Sequence, residues 1–156
     1  MHQHCRNTFN TVTVMNSLPI EGTSMQGLTI EGTRNSPSVF YYEDENKFDL
    51  KGVSCMTDAR GFYQPIIDWV KLNSNEIKSG IVFEFYLPYF NSGSNKGIFR
   101  LLESISGLVK SGKECKIIWC VEEEDEFMSE GGEVIENILG LKFEFKQVPF
   151  DAKHLF

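Results

Sequence analysis

The sequence predicts a mixed α/β fold, in which an antiparallel N-terminal meander leads into a βαβαβ half with a parallel core and helices packed on the sheet. Short strand-like runs fill residues 28–53, and from there apolar residues at helical spacing alternate with short apolar strands as far as residue 148. The 156 residues are 41% hydrophobic and 13% aromatic, which suits one domain with a sizeable core.

The meander is predicted from strand patterns that begin at Leu28. The runs SVFYYE (residues 38–43) and KFDLKGV (residues 47–53) flank a polar turn and form a hairpin. Residues 1–26 are rich in Asn, Thr, Ser and Met and lack sustained periodicity. We therefore expect residues 1–26 to be a loosely ordered extension, followed by a single domain over residues 27–156.

The first helix is predicted to start near Gly61, with Pro65 in its first turn, where a missing N–H is tolerated. Trp69 falls on its apolar stripe and is expected in the core. Because the adjacent Phe62 and Tyr63 cannot both face one core, one of them is expected to be exposed. Tyr63 is therefore a candidate partner contact.

The remaining elements complete the βαβαβ half. The next strand is a strongly apolar run of the kind that is buried on both faces. The last two helices are predicted to end at glycines. In order, the elements are a strand over Ile81–Tyr89, a helix carrying Ile98, Leu101, Leu102, Ile105, Leu108 and Val109 that closes at Gly112, a strand over Lys116–Val121, a helix marked by Val134, Ile135, Ile138 and Leu139 with Gly140 after it, and a strand over residues 142–148.

Charge and composition exclude several classes of protein. The net charge is −7, and eight acidic residues with no Lys or Arg lie between Ile117 and Leu141. This local acidity disfavours nucleic acid and anionic membranes, and it suits a basic protein surface or a cation. No apolar run is long enough to span a bilayer, and the N-terminus lacks a secretory apolar region. We expect a cytoplasmic protein whose four cysteines are free thiols.

The acidic residues Glu122, Glu123, Glu124 and Asp125 directly follow a predicted strand. We interpret them as a docking or solubility surface. The alternative is a Mg²⁺ site in a metal-assisted hydrolase or transferase that uses Glu122, Glu124 or Asp125. The three histidines lie near the termini, so none is central for acid–base work. We therefore expect a protein that is not an enzyme and needs no metal or cofactor.

A polar turn separates the most apolar strand from the clearest amphipathic helix, the place where open α/β sheets collect function. It contains Asn91, Ser92, Gly93, Ser94 and Lys96. A phosphate on Ser92 or Ser94 would be favoured by the amino end of the helix. Helix capping by Asn91, Ser92 or Ser94 is the simpler interpretation.

Four segments of the chain, in order, resemble the SiaC family of bacterial regulatory phosphoproteins. The resemblance runs from about Leu28 to Phe145 and implies a fold like that of STAS anti-sigma-factor antagonists. It also implies a switch protein without catalytic activity. The segments are LTIEGTRNSPSVFY, GFYQPIIDWV, FEFYLPYFNSGSNKGIFRLL and IIWCVEEEDEFMSEGGEVI.

The resemblance further implies three protein partners: a Ser/Thr kinase, a PP2C-type phosphatase, and a diguanylate cyclase that the unphosphorylated form binds and activates in cyclic-di-GMP signalling and biofilm control. The family's phosphorylated Thr matches Ser92, and Ser94 is a second candidate. Asn91, Gly93, Ser94 and Lys96 then form the switch loop. Gly93 replaces a hydroxyl residue of the family pattern.

Overall fold

In the part of the chain that the computed structural model describes, residues 12–15 and 25–150, seven strands form one mixed sheet in sequence order. Strands β1 to β4 pair antiparallel, and β4 to β7 pair parallel, which confirms the predicted fold class. The strands are β1 (Val12–Met15), β2 (Gly27–Ile30), β3 (Ser38–Tyr42), β4 (Lys47–Lys51), β5 (Ile81–Tyr86), β6 (Cys115–Glu122) and β7 (Phe143–Val148), and the helices are α1 (Ala59–Leu72), α2 (Ser92–Lys110) and α3 (Glu126–Leu139).

The helices share one face of the sheet. Each parallel strand leads through a helix to its immediate neighbour in the same direction, and right-handed crossovers then place α1, α2 and α3 on the same side. Alternation along β4 and β5 matches this arrangement, because Phe48, Leu50, Phe83 and Phe85 are at most 1% exposed on the helix side, and Asp49 and Glu84 between them point to the opposite face. The core therefore lies between one sheet face and three helices.

The opposite face carries an ion-pair network around Glu84 of β5. Its carboxylate lies 2.5 Å from Lys51 Nζ, 3.9 Å from Lys47 Nζ and 3.8 Å from Lys146 Nζ. Burial tends to raise the pKa of Glu84, but the hydrogen bond from Lys51 and the charges of Lys51, Lys47 and Lys146 outweigh it and lower that pKa. Strand β5 is thus buried towards the helices, and on the opposite face Glu84 is also buried while Val82 and Tyr86 are half-buried.

Helix α1 begins at Ala59, two residues earlier than predicted, because the Asp58 carboxylate caps it by accepting the Gly61 N–H at 2.9 Å. Pro65 consequently lies inside the helix and not in its first turn. It cannot donate to the Gly61 carbonyl four residues back. Trp69 is 1% exposed and its indole N–H donates to the Gln26 carbonyl at 2.7 Å, which confirms its core position.

The expectation that Tyr63 is exposed for a partner is wrong. Phe62 and Tyr63 are both buried, because α1 packs against α2 as well as against the sheet and so has two covered sides. A Cβ at Gly97 of α2 would clash with the Tyr63 ring. The bare backbone of Gly97 lets α2 approach that ring closely.

The other boundaries differ modestly from the predicted ones. Helix α2 takes in most of the polar turn, since it begins at Ser92, and α3 ends as predicted at Gly140, whose φ is 66°. Within the predicted extension, β1 pairs with β2, and the rest of residues 1–24 lies outside the described residues. No helix in residues 25–150 is both long and apolar enough to cross a bilayer.

Candidate functional site at the start of helix α2

Asn91 caps α2 and fixes the polar turn to its neighbours. Its Oδ1 accepts the Ser94 N–H at 2.8 Å, and its Nδ2 donates to the Met56 carbonyl at 3.1 Å. Of the three residues considered for capping, Asn91 therefore fills the role. One side chain thus joins the start of α2 to the segment that leads from β4 to α1.

Backbone hydrogen bonds hold the same two segments together. Asn91 N–H donates to the Ser54 carbonyl at 3.0 Å, and Ser54 N–H donates to the Tyr89 carbonyl at 2.9 Å. A parallel bridge links Ser54 to Phe90, so the pairing of β4 with β5 resumes beyond the ends of both strands. The turn that precedes α2 is consequently held on its inner side by main-chain bonds.

Beneath the turn lies a buried chain of three hydroxyl groups. Ser54 Oγ is 2.7 Å from the Tyr63 hydroxyl and 2.8 Å from Ser94 Oγ, and both serines are 0% exposed. Burial raises the pKa of Tyr63, and this outweighs the lowering effect of its hydrogen bond with Ser54. Tyr63 therefore stays protonated and keeps a hydrogen available to this chain.

Ser94 is consequently inaccessible, although it is the second candidate for phosphorylation in the sequence. Its hydroxyl also lies 3.4 Å from Met56 Sδ. A kinase cannot reach this oxygen while α2 is folded, which removes the physical basis for Ser94 as a second acceptor. The sequence contained the signal, because Ser94 extends the buried stripe of Ile98, Leu101 and Ile105 by one helical turn.

Ser92, two residues earlier, is the exposed hydroxyl of the turn. It is the first residue of α2, and none of the hydrogen bonds among the described residues involves its Oγ. Gly93 and Lys96 are also exposed. A Cβ built on Gly93 would lie 3.6 Å from the Ala59 Cβ, so packing does not require glycine there. That contact also places the amino ends of α1 and α2 side by side.

The electrostatics around Ser92 favour an added anion. Helix α2 has no acidic residue in its first turn and is capped by the neutral Asn91, whereas the Asp58 carboxylate already occupies the amino end of α1. Lys96 lies four residues after Ser92 on α2, and Arg60 lies in the first turn of α1; both are exposed. The amino end of α2 and the two cations can accept a phosphate on Ser92.

The acidic segment divides into structural and exposed residues. Glu122 is 8% exposed and its Oε1 accepts the Tyr86 hydroxyl at 2.8 Å, and Asp125 caps α3 by accepting the Met128 N–H at 3.1 Å. Glu123 and Glu124 are exposed. Among residues 25–150, no three His, Cys, Asp or Glu side chains are grouped to hold a metal ion.

A mixed sheet with its helices on one face defines a mixed α/β domain, and this domain exposes a serine hydroxyl at the capped start of its second helix. The model of the SiaC family, described as "SiaC family regulatory phosphoprotein", matches residues 30–148. This chain therefore belongs to the SiaC family, and the resemblance seen in the sequence is confirmed.

Solved structures share the fold. The SiaC chain in the crystal structure of diguanylate cyclase SiaD in complex with its activator SiaC from Pseudomonas aeruginosa matches at 19% identity with a TM-score of 0.71, covering 78% of this chain and 99% of that one. SiaC of Pseudomonas aeruginosa matches at 19% identity with a TM-score of 0.68, covering 81% of this chain and 100% of that one. Apo-SiaC from Pseudomonas aeruginosa matches at 19% identity with a TM-score of 0.69, covering 78% of this chain and 99% of that one. No curated protein matches the chain.

Proposed function

We propose that this protein is a cytoplasmic, phosphorylation-switched regulator whose unphosphorylated form binds and activates a diguanylate cyclase. Ser92 is the phosphorylated residue, a partner kinase adds the phosphate, and a PP2C-type phosphatase removes it. The observation that carries the proposal is the contrast between two serines of one turn, in which Ser94 is buried and hydrogen-bonded and Ser92 is exposed. Family membership supports the regulatory role.

The free protein can accept the modification without unfolding. Phosphorylation adds a charge of about −1.5 to −2 at neutral pH. At Ser92 this charge lies at the amino end of α2, with Lys96 one helical turn away. The buried hydroxyl chain below the turn does not include Ser92, so it needs no rearrangement.

The same phosphate opposes partner binding. A surface that fits a neutral hydroxyl must strip water from the added charge, and a penalty of a few kcal/mol would lower affinity about 100-fold or more. The switch is therefore a local change at the contact surface and not a change of fold.

A catalytic role is not part of this proposal. The hydrolase alternative would use carboxylates that already have structural duties, since Glu122 binds the Tyr86 hydroxyl and Asp125 caps α3. The exposed Glu124 remains, and within residues 25–150 no three His, Cys, Asp or Glu side chains are grouped to hold a metal ion.

The test combines mass spectrometry after incubation with the cognate kinase and a binding assay with the cyclase. We expect phosphate on Ser92, loss of cyclase binding by the phosphorylated form, and retained binding by Ser92→Ala. Ser92→Asp should weaken binding only partly, because it has less charge and fewer acceptor oxygens than a phosphate.

Ser111 provides a matched control, because it is an exposed serine at the opposite end of the same helix. Ser111→Asp should leave cyclase binding unchanged. Phosphate found only on another residue, or undiminished cyclase binding by the Ser92-phosphorylated form, would contradict the assignment.

A further inference from the structure

The outer side of α3 carries an apolar stripe that nothing in the described structure covers. Phe127 is 78% exposed, Val134 is 55% exposed and Ile138 is 64% exposed. These positions are spaced by seven and four residues, so they lie on one side of the helix, with Gly131 between Phe127 and Val134. The inner side, made by Met128, Gly132 and Ile135, packs on the sheet. Helix α3 is thus apolar on two sides, and the sheet buries only one of them.

An acidic row runs beside this stripe. At 100° per residue, Glu126, Glu130 and Glu133 project from the neighbouring strip of the helix surface. All three are exposed and make no salt bridge within the described residues. Like charges at spacings of three and four residues weaken a helix. Glu126 lies in the first turn, where the helix dipole favours an acidic residue, so the repulsion that the fold does not offset is the one between Glu130 and Glu133.

We propose that this outer side of α3, the apolar stripe with its acidic row, is the surface on which the cyclase docks. The docking element is an apolar ridge flanked by Lys or Arg, because apolar residues fill the stripe and cations neutralise the row. The choice of the cyclase rests on the proposed function, whereas the chemistry of the docking element rests on α3 alone.

A second copy of the chain fits this surface poorly. Two α3 helices meeting through their stripes would bring two rows of glutamates together, and the whole chain carries a net charge of −7. A partner that is basic at the contact meets no such repulsion. Charge complementarity therefore favours a different protein as the occupant.

The location also suits the switch. Strands β5 and β6 are parallel neighbours, so the helices that follow them, α2 and α3, begin at the same edge of the sheet. Ser92 and Phe127 are the first residue of α2 and the second of α3. A protein seated on α3 can therefore extend over the start of α2, where a phosphate would meet it.

The test measures cyclase affinity of the full-length chain by calorimetry for the wild type, Phe127→Ser, Ile138→Ser and Glu130→Lys. Leu72→Ser is the matched control, because Leu72 on α1 is an apolar side chain 71% exposed and away from α3. We expect each serine substitution on the stripe to weaken binding about tenfold or more, and the control to change it less than about twofold. Added salt should weaken the wild type more than Glu130→Lys.

A second arm uses an amphipathic helical peptide of Leu and Lys, with a Leu and Glu peptide of the same length as its control. Preferential binding of the Lys peptide that Phe127→Ser abolishes supports the surface even if the cyclase itself does not bind. Failure of the wild type to bind the cyclase would contradict the proposed function only.

Three results would overturn the docking surface. The first is full cyclase affinity in Phe127→Ser and Ile138→Ser. The second is equal binding of the Lys peptide to the wild type and Phe127→Ser. The third is a wild-type dimer in sedimentation that Phe127→Ser dissociates, since a second copy would then occupy the stripe.

Discussion

Helices α2 and α3 start in the same way and are used differently. Each follows a parallel strand, and each is capped by an Asn or Asp side chain that accepts the N–H three residues later, at 2.8 Å in α2 and 3.1 Å in α3. Eight residues of α2 are buried, whereas only Met128, Gly132 and Ile135 of α3 are. A common cap thus begins one helix that belongs to the core and another that lies largely on the surface.

Their charges differ as well. The first turn of α2 contains no acidic residue and is followed by Lys96, whereas α3 starts with Glu126 and has no basic residue in its last turn. The start of α2 is suited to gain an anion, and the side of α3 is suited to meet cations. Modification and docking can therefore occupy neighbouring helices without competing for one kind of surface.

The largest expected difference in stability is between removing Tyr63, the buried ring on which α2 packs, and removing Phe127, an exposed ring of α3. Tyr63→Ala empties the core between α1 and α2 and deprives the Ser54 hydroxyl of a partner, so it should cost about 3 to 5 kcal/mol of unfolding free energy. Phe127→Ala removes a ring that is 78% exposed and should cost less than about 0.5 kcal/mol. Urea unfolding of both variants measures this. Similar costs would show that Phe127 on α3 is packed as firmly as Tyr63 between α1 and α2.

Two glycines of α2 provide a smaller contrast within one helix. A Cβ at Gly97 meets the Tyr63 ring, whereas a Cβ at Gly107 meets nothing within 4 Å. Gly97→Ala should destabilise by about 1 to 3 kcal/mol through overpacking. Gly107→Ala should stabilise by about 0.5 to 1 kcal/mol because alanine is the better helix former. The denaturant midpoints of Gly97→Ala and Gly107→Ala measure this difference. An unchanged midpoint for Gly97→Ala would mean that α2 can shift away from Tyr63 at little cost.

The next largest difference in stability is expected between two residues of the acidic segment, Glu122 and Glu123. The sequence alone suggests that replacing Glu122, Glu123 and Glu124 with Lys leaves the fold intact, but Glu122 binds the Tyr86 hydroxyl and is buried. Glu122→Ala should therefore cost about 1 to 2 kcal/mol, and the exposed Glu123→Ala should cost less than about 0.5 kcal/mol. Thermal melts compare the two. Equal melting temperatures would show that the Glu122 carboxylate contributes no more to stability than the exposed Glu123 does.

The smallest expected effect is a pH dependence centred on Glu84 of β5, on the face of the sheet opposite the helices. Because its folded-state pKa is lowered from 4.5, its contribution to stability is present above that value and is lost as pH falls through the folded pKa. Glu84→Gln should thus be less stable than the wild type near neutral pH, and the difference should close in acid. The three lysines that pair with Glu84 are 31% to 57% exposed, so added salt should also reduce the stability difference between the wild type and Glu84→Gln. A difference that does not vary with pH would rule out the carboxylate charge as its source.

Most of the fold could be predicted from the sequence because its signals are local. Alternation defined the strands of the meander, and the stripe of Ile98, Leu101 and Ile105 defined α2. The missed features depend on neighbours in space. Tyr63 is buried because α1 touches both the sheet and α2, and no single helix pattern shows a second covered side.

The site was predictable in part. The position of Ser92 followed from the resemblance, and its exposure agrees with a polar residue in a turn. The burial of Ser94 could have been found from its register with Ile98. The two sides of α3 could not be separated, because Val134, Ile135, Ile138 and Leu139 all fit a helical pattern and only the sheet decides which of them it covers.

The two tryptophans are fluorescent side chains in different parts of the fold, Trp119 next to α3 and Trp69 on α1. The Trp119 indole N–H donates to the Met128 carbonyl of α3 at 3.1 Å, and its ring lies directly under Gly132. The Trp69 indole N–H donates to the Gln26 carbonyl, far along the sheet from α3. In a Trp69→Phe variant, intrinsic fluorescence would come from Trp119 alone. The protein thus carries an unlabelled sensor, whose emission reports any displacement of α3 as it happens.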